Sequence, residues 1–386
     1  MTAATGREEI IERFGRFAAG ENLNLLEGAL LVAQLVDPGE DVPLVRQRIA
    51  ALAARVRAAR ESGEQPVEAL RLVLFREEGF GGDTESYDAP ENSSLGRALV
   101  RRKGLPITLS ILAIEVGREA GLELRGIGLP GHFVIGGRDL PAGQYLDPFD
   151  GGKLYDAEGL SRRVGAIFGT PVALTPDALE PDPPRAILIR MLFNLRRSYE
   201  SRRRLEEALL ALECAEALEP KEPVFLRERG LLLLKLGRSE EAVKALERYV
   251  ARASGSDAEA VGKLVVIVRE QGVSSEKAQL LYAGPVEKKI FTLEEARALL
   301  PKVKQLTADA ASAYTRLSEG GESEEERQKI VGQWASTIAS LGVEIKGLWL
   351  VDFDSGAGYY CWKYPEESLD HFHGYDEGFA GRLPLQ

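Results

Sequence analysis

The chain has 386 residues, 44% of them hydrophobic and 28% charged, with a formal net charge of −11; that length exceeds what one core organises and implies two or three domains. The acidic balance excludes a general nucleic-acid binder, which needs a basic stripe against phosphates, although Arg97, Arg101, Arg102 and Lys103 make a local basic patch. Two cysteines, Cys214 and Cys361, exclude a disulfide framework and a four-cysteine zinc site; with no signal-peptide profile and no run of about 18 apolar residues, a cytoplasmic protein without membrane contact is expected.

Residues 7 to 81 carry helical periodicity. Ile10, Ile11, Phe14 and Phe17 share one face, as do Leu26, Ala29, Leu30 and Ala33, and then Val45, Ile49, Leu52 and Val56. Asp37-Pro38-Gly39 and the stretch from Ser62 to Pro66 interrupt them. Gly79 to Pro90 is rich in glycine and acid and reads as an ordered loop that buries Phe80 and Tyr87. Asn92 is placed to cap a short helix reaching Arg102. A second helix runs from Pro106 to Ala120, apolar on more than one face through Ile107, Ile111, Ile114 and Val116, and Gly121 ends it; this is the expected central buried helix. Short alternating runs at 123–129, 132–135 and 144–146 read as antiparallel strands.

Four prolines between Pro176 and Pro184 suggest a linker. Beyond it the pattern repeats with a displacement of 34 residues: Ala208 returns as Ala242, Leu212 as Leu246, Glu213 as Glu247. That period, with Leu192, Leu195, Tyr199 and Pro220 in place, is the tetratricopeptide helix–turn–helix signature. Two copies expose their apolar faces, so a capping helix is expected near 257–270. After Gly284-Pro285, Thr292 and Glu295 form a capping box for an amphipathic helix to about Leu317; a second helix over 327–341 completes a hairpin, and 343–353 and 358–363 read as strands of a small sheet.

The chemistry-bearing residues of the first part are Thr108, Ser110, His132 and Asp147. A His on one strand and an Asp on the next can pair, the carboxylate orienting the imidazole, and both would face the N-terminal end of the 106–120 helix, where the dipole lowers a nucleophile's pKa. This arrangement resembles the transglutaminase-like superfamily. There a Gly-x-Cys opens a buried helix, a Gly follows the Cys by fifteen residues, and His and Asp come on successive strands. Gly104-Leu105-Pro106 and Gly121 fit that frame, so the resemblance places Pro106 on the nucleophile and His132 and Asp147 on the other two positions. The chain is more closely similar to the SirB-type subfamily, on Asn92-Ser93, Arg102-x-Gly104-x-Pro106-Ile107, Pro130-Gly131-His132-Phe133 and Asp147-Pro148-Phe149 followed by tetratricopeptide repeats. The resemblance covers roughly residues 7 to 270 and implies an α+β, papain-type domain, a tetratricopeptide α-solenoid, and no reaction in particular.

Proline offers neither a nucleophile nor an amide hydrogen. Ser110 lies near the same helix face one turn deeper, about 6 Å along the axis, and Thr108 is the other hydroxyl within reach. Their alternative is structural: helix hydroxyls bonding back to carbonyls. Two functions stay open. One is a binding adaptor, with a protein or peptide held by the repeat groove through Asn194 and Arg229, and by the cleft formed by Asn92, Pro106, Thr108, Pro130, Gly131 and Phe133 around His132. The other is a hydrolase or acyltransferase on amide or ester bonds, using His132, Asp147 and Ser110 or Thr108. Pro106 favours binding. Cys214 occupies a packing slot of a repeat, and Gly151-Gly152-Lys153 is a turn that lacks a phosphate loop's other residues.

The last segment is similar to a small bacterial domain family that opens with Phe-Thr-Leu-Glu-Glu-Ala. Phe291 to Ala296, Asp352-Phe353, Cys361-Trp362, Glu366, His373, Gly378-Phe379, Gly381-Arg382 and Pro384 match it; Phe372 replaces its usual Trp. No activity and no cofactor follow from that match. His371 and His373, spaced to face one side of a strand beside Glu366, Glu367, Asp376 and Glu377, are the one metal alternative; no third ligand has a diagnostic spacing. The expected domains are thus 1–175, transglutaminase-like; 185–272, tetratricopeptide; and 285–386, a helical hairpin with a small sheet.

Overall fold

The computed structural model describes residues 3–20, 22–168, 172–254, 256–271, 290–320, 324–356, 358–374 and 382–385. Gly284-Pro285 and the Asp376, Glu377, Gly378-Phe379 and Gly381 positions of the tail motif lie outside them. The chain divides into two compact units, one of residues 1–160 with 174–232 and one of 161–173 with 233–386.

In the first unit, helices α1 (Ala3–Ala18), α2 (Leu25–Val36), α3 (Val42–Glu61) and α4 (Pro66–Arg71) follow the apolar faces read in the sequence, and Phe14, Ala29, Ala33, Ile49, Ala53 and Val56 are fully buried. The loop after α4 closes on itself through strand β1 (Gly81–Gly82), paired parallel with β2 (Lys103–Gly104). Helix α5 (Leu95–Arg101) precedes β2, and α6 (Pro106–Glu119) follows it. A four-stranded antiparallel sheet is ordered β3 (Leu124–Leu129), β4 (His132–Gly137), β5 (Gln144–Asp147), β6 (Lys153–Asp156), the last of which the sequence reading left unassigned. Helix α6 packs against β3 and β4 on one side and α3 on another. Its residues from Pro106 to Gly117 are all buried, as a helix apolar all round must be.

Two local expectations change. Asn92 does not cap α5. Ser94 does, its hydroxyl accepting from the Arg97 amide at 3.1 Å, because Asn92 sits back in a short 3₁₀ turn (Pro90–Ser93). The loop buries Phe80 but leaves Tyr87 38% exposed, its ring in a T-shaped contact with Phe149. The basic patch is not a free stripe: Arg97 pairs with Asp37 at 2.8 Å, Arg101 with Asp83 at 2.5 Å, Arg102 with Glu78 at 2.9 Å, and Lys103 lies 3.9 Å from Glu85.

The proline-rich stretch is not a free tether either. A 3₁₀ turn (Pro176–Leu179) lies against β3, and the Asp182 amide donates to the Gly126 carbonyl at 2.9 Å. After α7 (Ala157–Phe168) and this turn, helix α8 (Pro184–Ser201) packs on α2 and α6 before pairing with α9 (Leu205–Leu218). Its Tyr199 hydroxyl donates to the Leu35 carbonyl at 3.0 Å. The first helix of the repeat array is therefore part of the N-terminal core, and α1 packs along α9. Helix α10 (Val224–Lys235) opens the second repeat.

The second unit contains α11 (Ser239–Val250) and α12 (Ser256–Gln271), the latter where a capping helix was expected. It also holds a helical pair, α13 (Leu293–Gly320) and α14 (Glu324–Ser340), beside a five-stranded antiparallel sheet. The capping box forms: the Glu295 carboxylate accepts from the Thr292 amide at 2.8 Å, and the Thr292 hydroxyl accepts from the Glu295 amide at 3.2 Å. The sheet runs β11 (Leu383–Pro384), β10 (His371–His373), β9 (Tyr359–Lys363), β8 (Leu350–Asp354), β7 (Glu344–Gly347). The single strand read over 343–353 is a hairpin of two, the strand spacing read at His371 and His373 is present as β10, and β11 has no counterpart in the sequence reading.

Glu228 of α10 bridges the two repeats, 2.9 Å from Arg196 of α8 and 2.7 Å from Arg227. Burial alone would raise its carboxyl, but the two guanidinium charges outweigh that and bring it down to about 2. The stabilisation is complete above the ordinary value of 4.5 and is lost as pH falls towards 2. Thermal melts of wild type and Glu228→Gln should therefore differ at neutral pH and converge between pH 4.5 and 2; a gap that stays constant with pH contradicts this.

Candidate functional site

Pro106 is the first residue of α6, where a missing amide costs nothing because the first-turn amides have no intrahelical partner. Entry to the helix is fixed by Leu105, whose amide donates to the Asn92 carbonyl at 3.2 Å and whose own carbonyl accepts from Leu109 at 3.0 Å. Asn92, completely buried, holds the preceding loop: its side-chain amide donates to the carbonyls of Ser86 (2.7 Å) and Tyr87 (3.1 Å), and its oxygen accepts from Arg101 at 2.7 Å. Asp83 receives the other end of Arg101 and the Ser86 amide. Burial would raise the Asp83 carboxyl, yet that amide and the guanidinium hold it below the usual carboxylate range.

His132 opens β4 just after the Pro130-Gly131 turn, where Gly131 takes a φ of 62° that a side chain would resist. Asp147 closes β5. His132 Nε2 and Asp147 Oδ2 are 2.7 Å apart, with the two side chains 3% and 0% exposed. The second carboxylate oxygen accepts from the amides of Phe149 at 3.0 Å and Asp150 at 3.2 Å, so the pair is oriented from both sides. The Phe149 ring stands edge-on to both His132 and Tyr87, with centroids 6.1 and 5.9 Å away, between the imidazole and the loop. The pairing read from the sequence is present; the expectation that Thr108 and Ser110 bond back to carbonyls is not met. Both hydroxyls are buried and neither has a hydrogen-bond partner, on the helix or on His132.

Two further groups hold this hairpin. Arg190 of α8 donates to the carbonyls of Leu129 and of His132, the latter at 2.8 Å, and its guanidinium lies 5.8 Å from the centre of the Phe133 ring. Asp182 accepts from the Gly128 amide at 2.8 Å. A side chain at Gly128 would meet Asp182 Oδ2 at 2.4 Å and Arg190 at 2.6 Å, which is why this strand position has none. Neither Arg190 nor Asp182 was singled out in the sequence. The available signal was a charge on the inward helix of a repeat, where the pattern calls for packing residues.

Asn194, proposed from sequence for the repeat groove, lines a small cleft of about 20 Å³ in the first unit with Arg197, Ser198, Tyr87, Asp88, Ala89 and Leu105, the residue that precedes Pro106. Arg229 is elsewhere, 3.2 Å from Glu216 and 3.9 Å from Glu213 of the neighbouring helix. In the second unit, β10 carries His371 and His373. His373 is buried against Asp352, while His371 is half-buried. Cys214 is completely buried and burial pushes its thiol far above the usual range, so it is a packing residue.

Comparison with known proteins finds three matched segments. A transglutaminase-like superfamily profile matches residues 44–193, a tetratricopeptide repeat profile matches 195–265, and a profile described as an uncharacterized conserved protein (DUF2203) matches 289–385. A UPF0162 protein of Xylella fastidiosa (strain 9a5c) is 35% identical over 242 residues, 60% of this chain and 84% of the relative. The chain belongs to the UPF0162 family. A second UPF0162 protein, from Vibrio cholerae, is 27% identical over 59% of this chain and 86% of its own length. The human F-box only protein 21 is 31% identical over 90 residues, 23% of this chain and 14% of its own. No solved structure matches significantly, and no helix among the described residues is long and apolar enough to cross a membrane.

Removing one partner of a buried, hydrogen-bonded pair leaves the other uncompensated, at a cost of about 3–5 kcal/mol. Asp147→Ala should lower stability in urea by about 3 kcal/mol. A loss below about 1 kcal/mol would show that the His–Asp bond is dispensable to the fold.

Proposed function

We propose that this UPF0162 protein is a binding adaptor whose transglutaminase-like domain has exchanged catalysis for recognition. The single observation that carries the reading is Pro106, the opening residue of the buried helix and the position that the resemblance gives to the nucleophilic thiol. Two others support it. The neighbouring hydroxyls have no hydrogen bond to a base, which a serine-type nucleophile requires, and the His132 ring is sealed behind Phe149. The repeats supply a protein-interaction surface. Because α8 is committed to the N-terminal core, we assign ligand contact on that helix to the cleft at Asn194 and Arg197, beside the entry to α6. A peptide would rest on the surface around that small cleft, contacting Asn194 and Arg197, without being turned over.

The second reading, a hydrolase or acyltransferase using His132 and Asp147 with Ser110 or Thr108, is favoured by one observation, the intact 2.7 Å bond of the pair. One experiment separates the two. The purified chain is screened against ester and amide substrates and, in parallel, immobilised to capture partners, alongside Asn194→Ala/Arg197→Glu and His132→Ala. The adaptor reading expects no turnover, and partners recovered by wild type but lost by the double variant. Turnover abolished by His132→Ala in a folded protein overturns it, as does partner recovery unchanged by the double variant.

A further inference from the structure

The C-terminal sheet brings together three residues that neither repeat packing nor the His132 site uses. On β8, β9 and β10, Asp352 stands opposite Cys361, and Cys361 opposite His371. The side chain that completes the cluster comes from His373, two residues along β10. The ligand atoms of Asp352, Cys361 and His373 all lie within 4.8 Å of one another, and all three residues are buried. We propose that Asp352, Cys361 and His373 form a metal site for a divalent transition ion, zinc in the first instance.

Three features carry the assignment. Asp352 is 1% exposed, and its Oδ1 has no hydrogen-bond partner, although an orphaned carboxylate oxygen in a sheet interior is costly. A cation bound by that oxygen removes the cost. His373 is placed as a ligand: its Nδ1 donates to the Gly374 carbonyl at 2.8 Å, and its Nε2 donates to Asp352 Oδ2 at 3.0 Å, so a metal ion that displaced the Nε2 proton would meet both the ring nitrogen and the carboxylate. The donor set is one sulfur, one nitrogen and one oxygen, which suits zinc and not the oxygen-seeking calcium or magnesium. Tetrahedral zinc with bonds of about 2.0–2.3 Å holds its ligand atoms roughly 3.5 Å apart, a spacing that lies between the 3.0 Å of the Nε2–Oδ2 pair and the 4.8 Å that bounds the cluster. The three residues fill three of four tetrahedral positions.

This differs from the pattern visible in the sequence. His371 and His373 suggest a His-x-His ligand pair, but the structure brings only His373 to the cysteine and the aspartate.

The test uses the full-length chain carrying no histidine tag. Elemental analysis of protein from zinc-supplemented medium should find about one zinc per chain. Cobalt substitution should give a sulfur-to-cobalt charge-transfer band and tetrahedral visible bands, and Cys361→Ser should abolish the former. His373→Gln should lower zinc content at least about tenfold while circular dichroism stays native. The cobalt spectrum of the wild type needs no variant, so a Cys361→Ser protein that fails to fold leaves the proposal testable. Folded wild type that takes up no zinc on dialysis overturns it. So does a cobalt spectrum without a sulfur band, or zinc retained in full by folded Cys361→Ser, which marks an adventitious ion only.

Discussion

Arg190 is the contact on which the first unit depends. It extends from the first helix of the repeat array to the carbonyls of Leu129 and His132, and so fastens the β3–β4 turn that presents His132. A guanidinium is suited to this because its planar fork can satisfy two carbonyls at once and rest on an aromatic face. Asp182 grips the same hairpin one strand residue earlier. The repeat array is consequently not an appendage to the transglutaminase-like domain. Its first helix is a wall of that domain, and the cleft at Leu105 exists because α8 lies there.

The second constraint is Pro106. A proline at the first helical position is well placed for starting α6 and unable to attack anything. Everything around it is retained: the buried helix, the turn with Gly131 in the left-handed region, the His–Asp bond oriented by two amides. On the proposed reading this frame has no nucleophile, and its buried contacts serve folding. Asp147 is completely buried and bonded to His132 of β4 and to the amides of Phe149 and Asp150 in its own turn, so it serves the fold irrespective of chemistry.

Much of this was legible in the sequence, and what was missed has physical causes. The helices of the first unit announced themselves by apolar faces, the repeats by a 34-residue displacement, and the His132–Asp147 pair by two motifs that only strand pairing brings together. Asn92 was misread because two adjacent polar residues can each cap, and a 3₁₀ turn ahead of α5 decided for Ser94. The proline-rich segment looked like a tether because composition carries no record of docking; a single aspartate, Asp182, fixes it to β3. In the tail, β11 has two residues and is too short for period-two alternation to appear. The partner of His373 was likewise invisible, since Asp352 and Cys361 reach it across three strands rather than along one.

The central claim is that residues 104–147 are the frame of a thiol active site with proline in the thiol's place. Restoring the thiol tests it. In Pro106→Cys, the introduced sulfur should sit at the α6 N-terminus within the field of the helix and of His132, and its pKa, read from the pH dependence of alkylation, should fall at least about one unit below the unperturbed value of about 8.5. That depression should diminish when His132→Ala is added. A thiol that titrates at or above the unperturbed value, with or without His132, would contradict the account and remove Pro106 from the nucleophile position.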